Sequence, residues 1–254
     1  MPASTGKLEG MNFCNLLTIQ RQFLPTPLLK FVGYQDPLSD LLLMSTMPDL
    51  TELTEDQLFV LPFLEYVSRE VQLDHAAIQA IVQHCQLVHF EKGAPILDIG
   101  SDSKYVYFIV KGECISFFTD YNGKKTTWFF HFNSPDSLVK NLFAVDYKSF
   151  LSKESSTISI DALSDTTAIR FSREDVHLLT NSSSIVEKWI RIVNERAFIM
   201  IYDRLSTLLT LSASDRYRKF LREEPHLLNM FSNYYIASYL SVAPQSLSRI
   251  RKNI

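Results

Sequence analysis

The chain has 254 residues, 46% hydrophobic and 21% charged, which is enough apolar side chain to bury a core and argues against wholesale disorder. No apolar run approaches the ~20 residues of a bilayer span, and Met1-Pro2-Ala3-Ser4 opens no basic region leading into an apolar core, so neither a membrane span nor a secretion signal is expected. The net charge of −3 is uneven: from Leu211 onward seven basic residues face three acids, a net +4 that leaves −7 for the rest, as if an anion-binding module were attached to an acidic body. Three widely spaced cysteines, Cys14, Cys85 and Cys114, make a disulfide framework improbable and point to a reducing cytoplasm.

Residues 1–56 show little periodicity, and Pro25, Pro27, Pro37 and Pro48 interrupt every candidate helix. No function is assigned to this leader; one reading starts translation at Met44 or Met47 and makes it non-native. Residues 57–85 read as helical, with Asp74 as an N-cap ahead of Ile78, Ile81 and Val82. From Gln86 the pattern changes to short strands. These are 87–90, 95–97, 105–110 ended by Lys111-Gly112-Glu113, 114–118, 126–132, 157–162 and 167–171, with Asn122-Gly123 as a hairpin turn. Many short strands joined by turns predict an antiparallel sandwich or barrel. After Asn181 the helical period returns. Ile185, Trp189, Ile192 and Ile199 are 4, 3 and 7 apart, a seam that predicts pairing with a second copy; Leu205, Leu208 and Leu209 extend it in a shifted phase.

The clearest motif is C-terminal. Ile236, Ala237 and Leu240 give one helix its apolar face, and Leu247 and Ile250 give the next helix its own. Ser241-Val242-Ala243 makes a tight turn between them, and Pro244 suits a first helical turn, where its missing N–H costs nothing. The second helix exposes Gln245, Ser246, Arg249 and Lys252, and positions 245, 249 and 252 share one face. This is a helix-turn-helix with a polar, basic outer face. Gln245, Ser246 and Arg249 are expected to read base edges, and Ser248, Arg251 and Lys252 to meet phosphates.

With those residues in place, the chain from about 57 to 254 resembles the Crp/Fnr family of bacterial transcription regulators, most distinctively over 236–252. Leu211-Ser212-Ala213-Ser214-Asp215-Arg216-Tyr217 through Pro225-His226-Leu227-Leu228 is similar to a divergent branch common in Bacteroidetes-type bacteria. The resemblance implies an α+β chain. An N-terminal β-roll (double-stranded β-helix, jelly-roll) would be the sensor domain over 57–181, a long dimerisation helix would span 182–210, and a helical helix-turn-helix DNA-binding domain would cover 211–254, too short for a full wing. It further implies a cytoplasmic homodimer on double-stranded DNA carrying an inverted repeat, with RNA polymerase as a further partner.

Nucleotide-binding members of that family carry a Gly-Glu pair whose Glu holds the ribose, and a later Arg that neutralises the cyclic phosphate. In the matching stretches here, Val139 stands about where the Glu belongs and Ser156 where the Arg belongs. The effector pocket is accordingly placed at Val139, Lys140, Asn141, Ser155, Ser156 and Thr157, with Lys140 or Lys153 as a substitute cation, the effector unidentified and tight cyclic AMP binding not expected. Iron–sulfur members need four cysteine ligands, and this chain has three cysteines. A cupin-type enzyme would cluster histidines on a metal. The six here include no His-x-His pair, and His84, Cys85 and His89 are read as packing or surface residues, so no catalytic residue, metal or cofactor is assigned. The other alternative is a sensor that acts through protein contacts without specific DNA binding; the basic set Arg249, Arg251 and Lys252 weighs against it.

Overall fold

The computed structural model describes residues 53–133 and 141–253. The chain divides between Gln83 and His84 into two units. In the first, a 3-10 turn at Glu55–Val60 leads into α1 (Leu61–Ser68), followed by α2 (His75–Gln83). Asp74 caps α2 as its sequence position predicts, its Oδ1 accepting from Ala77 N at 2.8 Å.

The second unit opens on the roll: β1 (Gln86–Phe90), β2 (Pro95–Leu97), β3 (Tyr105–Thr119), β4 (Lys125–Asn133), β5 (Phe143–Ala144), α3 (Tyr147–Ser152), β6 (Ile158–Ala162) and β7 (Thr166–Ser172). Every pairing is antiparallel, in the order β1-β7-β3-β6-β2, with β4 and β5 also on β3. The expected break at Lys111-Gly112-Glu113 is instead the middle of β3. Its first half pairs with β7 and its second with β6 and β4, so one strand passes between the two sheets. The crossing needs a bulge after Ile109 and a glycine at φ +110°: a Cβ on Gly112 would lie 2.5 Å from Thr166 Oγ1 and 2.8 Å from Thr166 Cα. Tyr107, Ile109, Cys114, Ala144, Ile158, Ile160 and Ala168 fill the roll.

The β3–β4 turn uses Asn122-Gly123 differently from a two-residue hairpin. Only Gly123 has positive φ, and Asp120 holds the loop by accepting from Asn122 N and Lys124 N, each at 2.9 Å.

A helix that the periodicity missed, α4 (Arg173–Ser182), follows β7, started by a reciprocal Ser172/Asp175 capping box. Ser183 then caps α5 (Ser184–Thr210), the long helix expected from Asn181 onward. The C-terminal helices are α6 (Ala213–Glu223), α7 (Leu227–Met230), α8 (Asn233–Tyr239) and α9 (Pro244–Lys252). The division at 181 and 210 into separate domains has a physical counterpoint: Ile115, Phe117, Phe130 and Phe132 of the roll share one core with Tyr217, Phe220, Phe231, Ile236 and Leu247 of the C-terminal helices. Among the described residues no helix is long and apolar enough to cross a membrane.

Candidate functional site

Helices α8 and α9 form the helix-turn-helix. Ala237 is fully buried, and its small side chain lets the pair close. Ser241 takes the left-handed conformation at φ 54°, and Val242 N donates to Ala237 O at 2.9 Å, which folds the chain back sharply. Pro244 occupies the first turn of α9. Leu247 faces inward, while Gln245, Ser246, Ser248, Arg249 and Lys252 are exposed. Among the described residues Arg249 and Lys252 have no ion-pair partner, so both cations stand free on one helix face. Two of the expected phosphate contacts are engaged within the chain. Ser248 Oγ donates back to Pro244 O at 3.1 Å, and Arg251 turns inward with its guanidinium 5.7 Å over the Tyr217 ring and its Nε and one Nη buried.

The second place to examine is the roll around Ser156. Val139 and Lys140 lie outside the described residues. Asn141 is spent on structure, its Nδ2 donating to Phe130 O at 2.7 Å, and Ser155 and Thr157 are exposed. Ser156 is buried, and its Oγ donates to Asp146 Oδ2 at 2.7 Å, with Thr157 N at 3.2 Å from the same oxygen. The Oδ1 of Asp146 caps α3 by accepting from Ser149 N. The residue facing Ser156 is therefore an acid, ten positions earlier in the chain, that the sequence reading did not single out. Its signal was the N-cap spacing Asp146-x-x-Ser149.

Two cations near this point are already committed, while Lys104 and Lys153, which act on Asp102 only through space, form no ion pair among the described residues. Arg173 donates to Phe150 O, Ser103 O and Asp102 Oδ1, and Lys148 pairs with Glu154 at 2.8 Å. The Arg173 bond holds the Asp102 carboxyl below its ordinary value. A phosphate seated here would meet the Asp146 carboxylate where a binding arginine would be needed. The roll's own cavity, about 240 Å³, is lined by Leu97, Tyr107 and Ile160 together with the charged Asp98, Asp102 and Lys104.

Two of the three thiols, Cys85 and Cys114, lie among the described residues, and both are buried. Burial pushes Cys85 up to about 12 and Cys114 up to about 11, so both stay protonated. His84 Nδ1 lies 2.8 Å from Asp175 Oδ1 and His89 Nδ1 3.1 Å from Thr167 Oγ1.

The expected dimer seam divides along α5. Trp189 is only 7% exposed and its ring approaches Phe143 at 6.2 Å, so it belongs to its own chain's core. Ile185 and Ile192 are half-buried. Ile199 is exposed and stands in a stripe with Phe198, Tyr202, Leu205 and Leu209, the last 75% exposed. The apolar face left open is thus half a helix further on than the spacing from Ile185 suggests. Val186 and Trp189 in the first turns of α5 are buried within their own chain, which periodicity alone does not reveal.

No protein-family model matches the chain, and no curated protein does. Solved structures do. FixK2 from Bradyrhizobium japonicum superposes with a TM-score of 0.55 at 18% identity, over 66% of this chain and 83% of that one. The c-di-GMP responsive global regulator CLP of Xanthomonas campestris matches with a TM-score of 0.54 at 13% identity, over 71% and 91%. A transcriptional regulator assigned to the Crp/Fnr family from Eubacterium rectale matches with a TM-score of 0.54 at 16% identity, over 71% and 83%. A β-roll followed by C-terminal helices gives the chain the fold of the Crp/Fnr regulators.

Proposed function

We propose that the chain is a dimeric DNA-binding transcription regulator whose roll is a sensor for an effector other than cyclic AMP. One observation carries the reading: α9 stands on a buried apolar footing and presents Gln245, Ser246, Arg249 and Lys252 to solvent on one face, with both cations unpaired. Unpaired cations and an amide on one exposed helix face are the groups that engage phosphates and base-edge acceptors in a major groove. Gln245 and Arg249 are suited to adenine and guanine edges respectively, and Lys252 to phosphate. Arg251, turned onto Tyr217, acts here as a packing residue that steers α9. The stripe Phe198, Ile199, Tyr202, Leu205 and Leu209 supplies the self-pairing surface. Two-fold pairing then requires half-sites about one helical turn apart. Asp146 in the roll supports excluding cyclic AMP, because a carboxylate occupies the ground a phosphate needs.

The test is a mobility shift with nonspecific competitor on selected sites. Arg249→Ala should cost about 1–3 kcal/mol on the best site and relax preference at one base position per half-site. Lys252→Ala should weaken all sequences alike and lower the salt slope by about one. Equal weakening of every site by Arg249→Ala would make Arg249 a phosphate contact and overturn the base-reading assignment. No shift at all on any DNA would overturn the function.

A further inference from the structure

Between β4, the middle of α5 and the C-terminal helices lies a second cavity of about 260 Å³, outside the roll and away from the surface of α9. Phe130, Phe132, Phe220, Tyr239 and Met200 give it apolar walls. Arg204, also in the lining, is 5% exposed and forms no ion pair with a carboxylate among the described residues. Its guanidinium donates to two backbone carbonyls, Tyr239 O and Thr127 O, and lies 3.7 Å over the Tyr239 ring, while its Nε finds no acceptor. Arg216 also lines the cavity and also bonds only carbonyls, Leu240 O at 2.8 Å and Leu211 O at 2.9 Å.

The other charges here are settled. Lys219 pairs with Asp203 at 2.6 Å and Glu223 at 3.6 Å. Glu224 takes the Tyr239 hydroxyl rather than a guanidinium, and burial pushes its carboxyl up. Two guanidiniums thus line an aromatic-walled cavity with no carboxylate bonded to either, Glu224 acting on Arg204 only through space. A buried cation in that state is costly, and a carboxylate is the group that relieves it through charge-assisted bonds.

We propose that this junction cavity binds a small planar aromatic carboxylate, neutralised by Arg204 with its ring between Phe130, Phe220 and Tyr239. The volume is at the small end for ligand sites, roughly one ring system with a short acidic arm. The site joins three parts, since Arg204 rises from α5 and ties Thr127 of β4 to the last turn of α8. A carboxylate drawing on the guanidinium competes with Tyr239 O, so occupancy changes how firmly α8 is held. Binding itself stands on the cavity and the unpaired cations; only that consequence rests on the regulator reading.

The experiment is calorimetry on the full chain with benzoate, phenylacetate and indole-3-acetate, with benzamide as the uncharged comparison. At least one acid should bind at or below about 1 mM, with benzamide weaker than benzoate by roughly tenfold or more. Arg204→Met should lose the acid by roughly tenfold or more, and Arg204→Lys should retain part of the affinity. No binding of any of the three acids, equal affinity for benzoate and benzamide, or equal affinity of Arg204→Met and the unaltered chain would each overturn the site. The amide comparison needs no variant, so it holds even if Arg204→Met folds poorly. Acid binding by a chain that binds no DNA would sustain the site and reject only the regulator reading.

Discussion

Gly112 shows how much one residue decides. It lies where β3 leaves one sheet for the other, and a methyl group there would press on Thr166 Cα and on Asp165 O at 2.9 Å, backbone that cannot swing aside. Gly112→Ala adds a strained positive φ to that overlap and should cost about 2–4 kcal/mol, read from urea unfolding. His131 makes the roll sensitive to acid. It is buried with a ring nitrogen 3.0 Å from Ser116 Oγ, and burial lowers it to about 4. The folded value lies below the unfolded one near 6.5, so the unfolded chain takes up the proton first. The stability His131 contributes is complete above about 6.5 and is lost as pH falls toward 4, about 3 kcal/mol in all. Unfolding midpoints measured from pH 7 to pH 4 should fall less steeply in His131→Gln, whose amide reaches as far as Nε2 toward Ser116 but does not titrate. Identical slopes would remove His131 as the source.

At the scale of elements, α5 does two jobs along its length. Its first turns bury Val186 and Trp189 in their own chain, while its later turns bare Phe198, Ile199, Tyr202, Leu205 and Leu209. Apolar residues recur at helical spacing in both halves, so the sequence marks the whole helix as amphipathic without saying which half is already covered. An acid at Leu205 places an unpaired charge in the open stripe, where pairing would desolvate it. Leu205→Asp should therefore sediment as a monomer at micromolar concentration with its helical content intact. A dimer that persists would move the self-pairing surface elsewhere. The short helix α3 makes the same point on a smaller scale. Its cap, Asp146, is legible as an N-cap, but its meeting with Ser156 depends on the return of the chain into β6.

At the scale of the molecule, the roll and the C-terminal helices are joined by a common core rather than a linker. Phe130 stacks on Phe231 with ring centroids 4.1 Å apart, and Ser238 Oγ accepts from Thr127 N at 2.9 Å and donates to Lys125 O at 3.2 Å. Residues of β4 are thus part of the footing of the helix-turn-helix. Phe130→Ala should destabilise residues 84–254 by about 3–5 kcal/mol. It should also speed amide exchange in α8 along with β4. Faster exchange confined to β4 would show the two modules to be uncoupled.

Local chemistry determined what the sequence could settle alone. Alternation and turn residues marked the strands, the Asp74 cap marked a helix start, and Ala237, Pro244 and Leu247 marked the helix-turn-helix, because each of these signals acts within a few residues. The polar face of α9 was legible for the same reason. Tertiary structure alone decided that β3 runs through Gly112 without a break, that Trp189 belongs to the core, that Arg251 turns inward, and that Asp146 faces Ser156. It also brought Arg204 beneath the last turn of α8, which its place among the apolar residues of α5 only hinted at. In each case the deciding partner lies far along the chain, and neither spacing nor periodicity records which distant surface a side chain will meet.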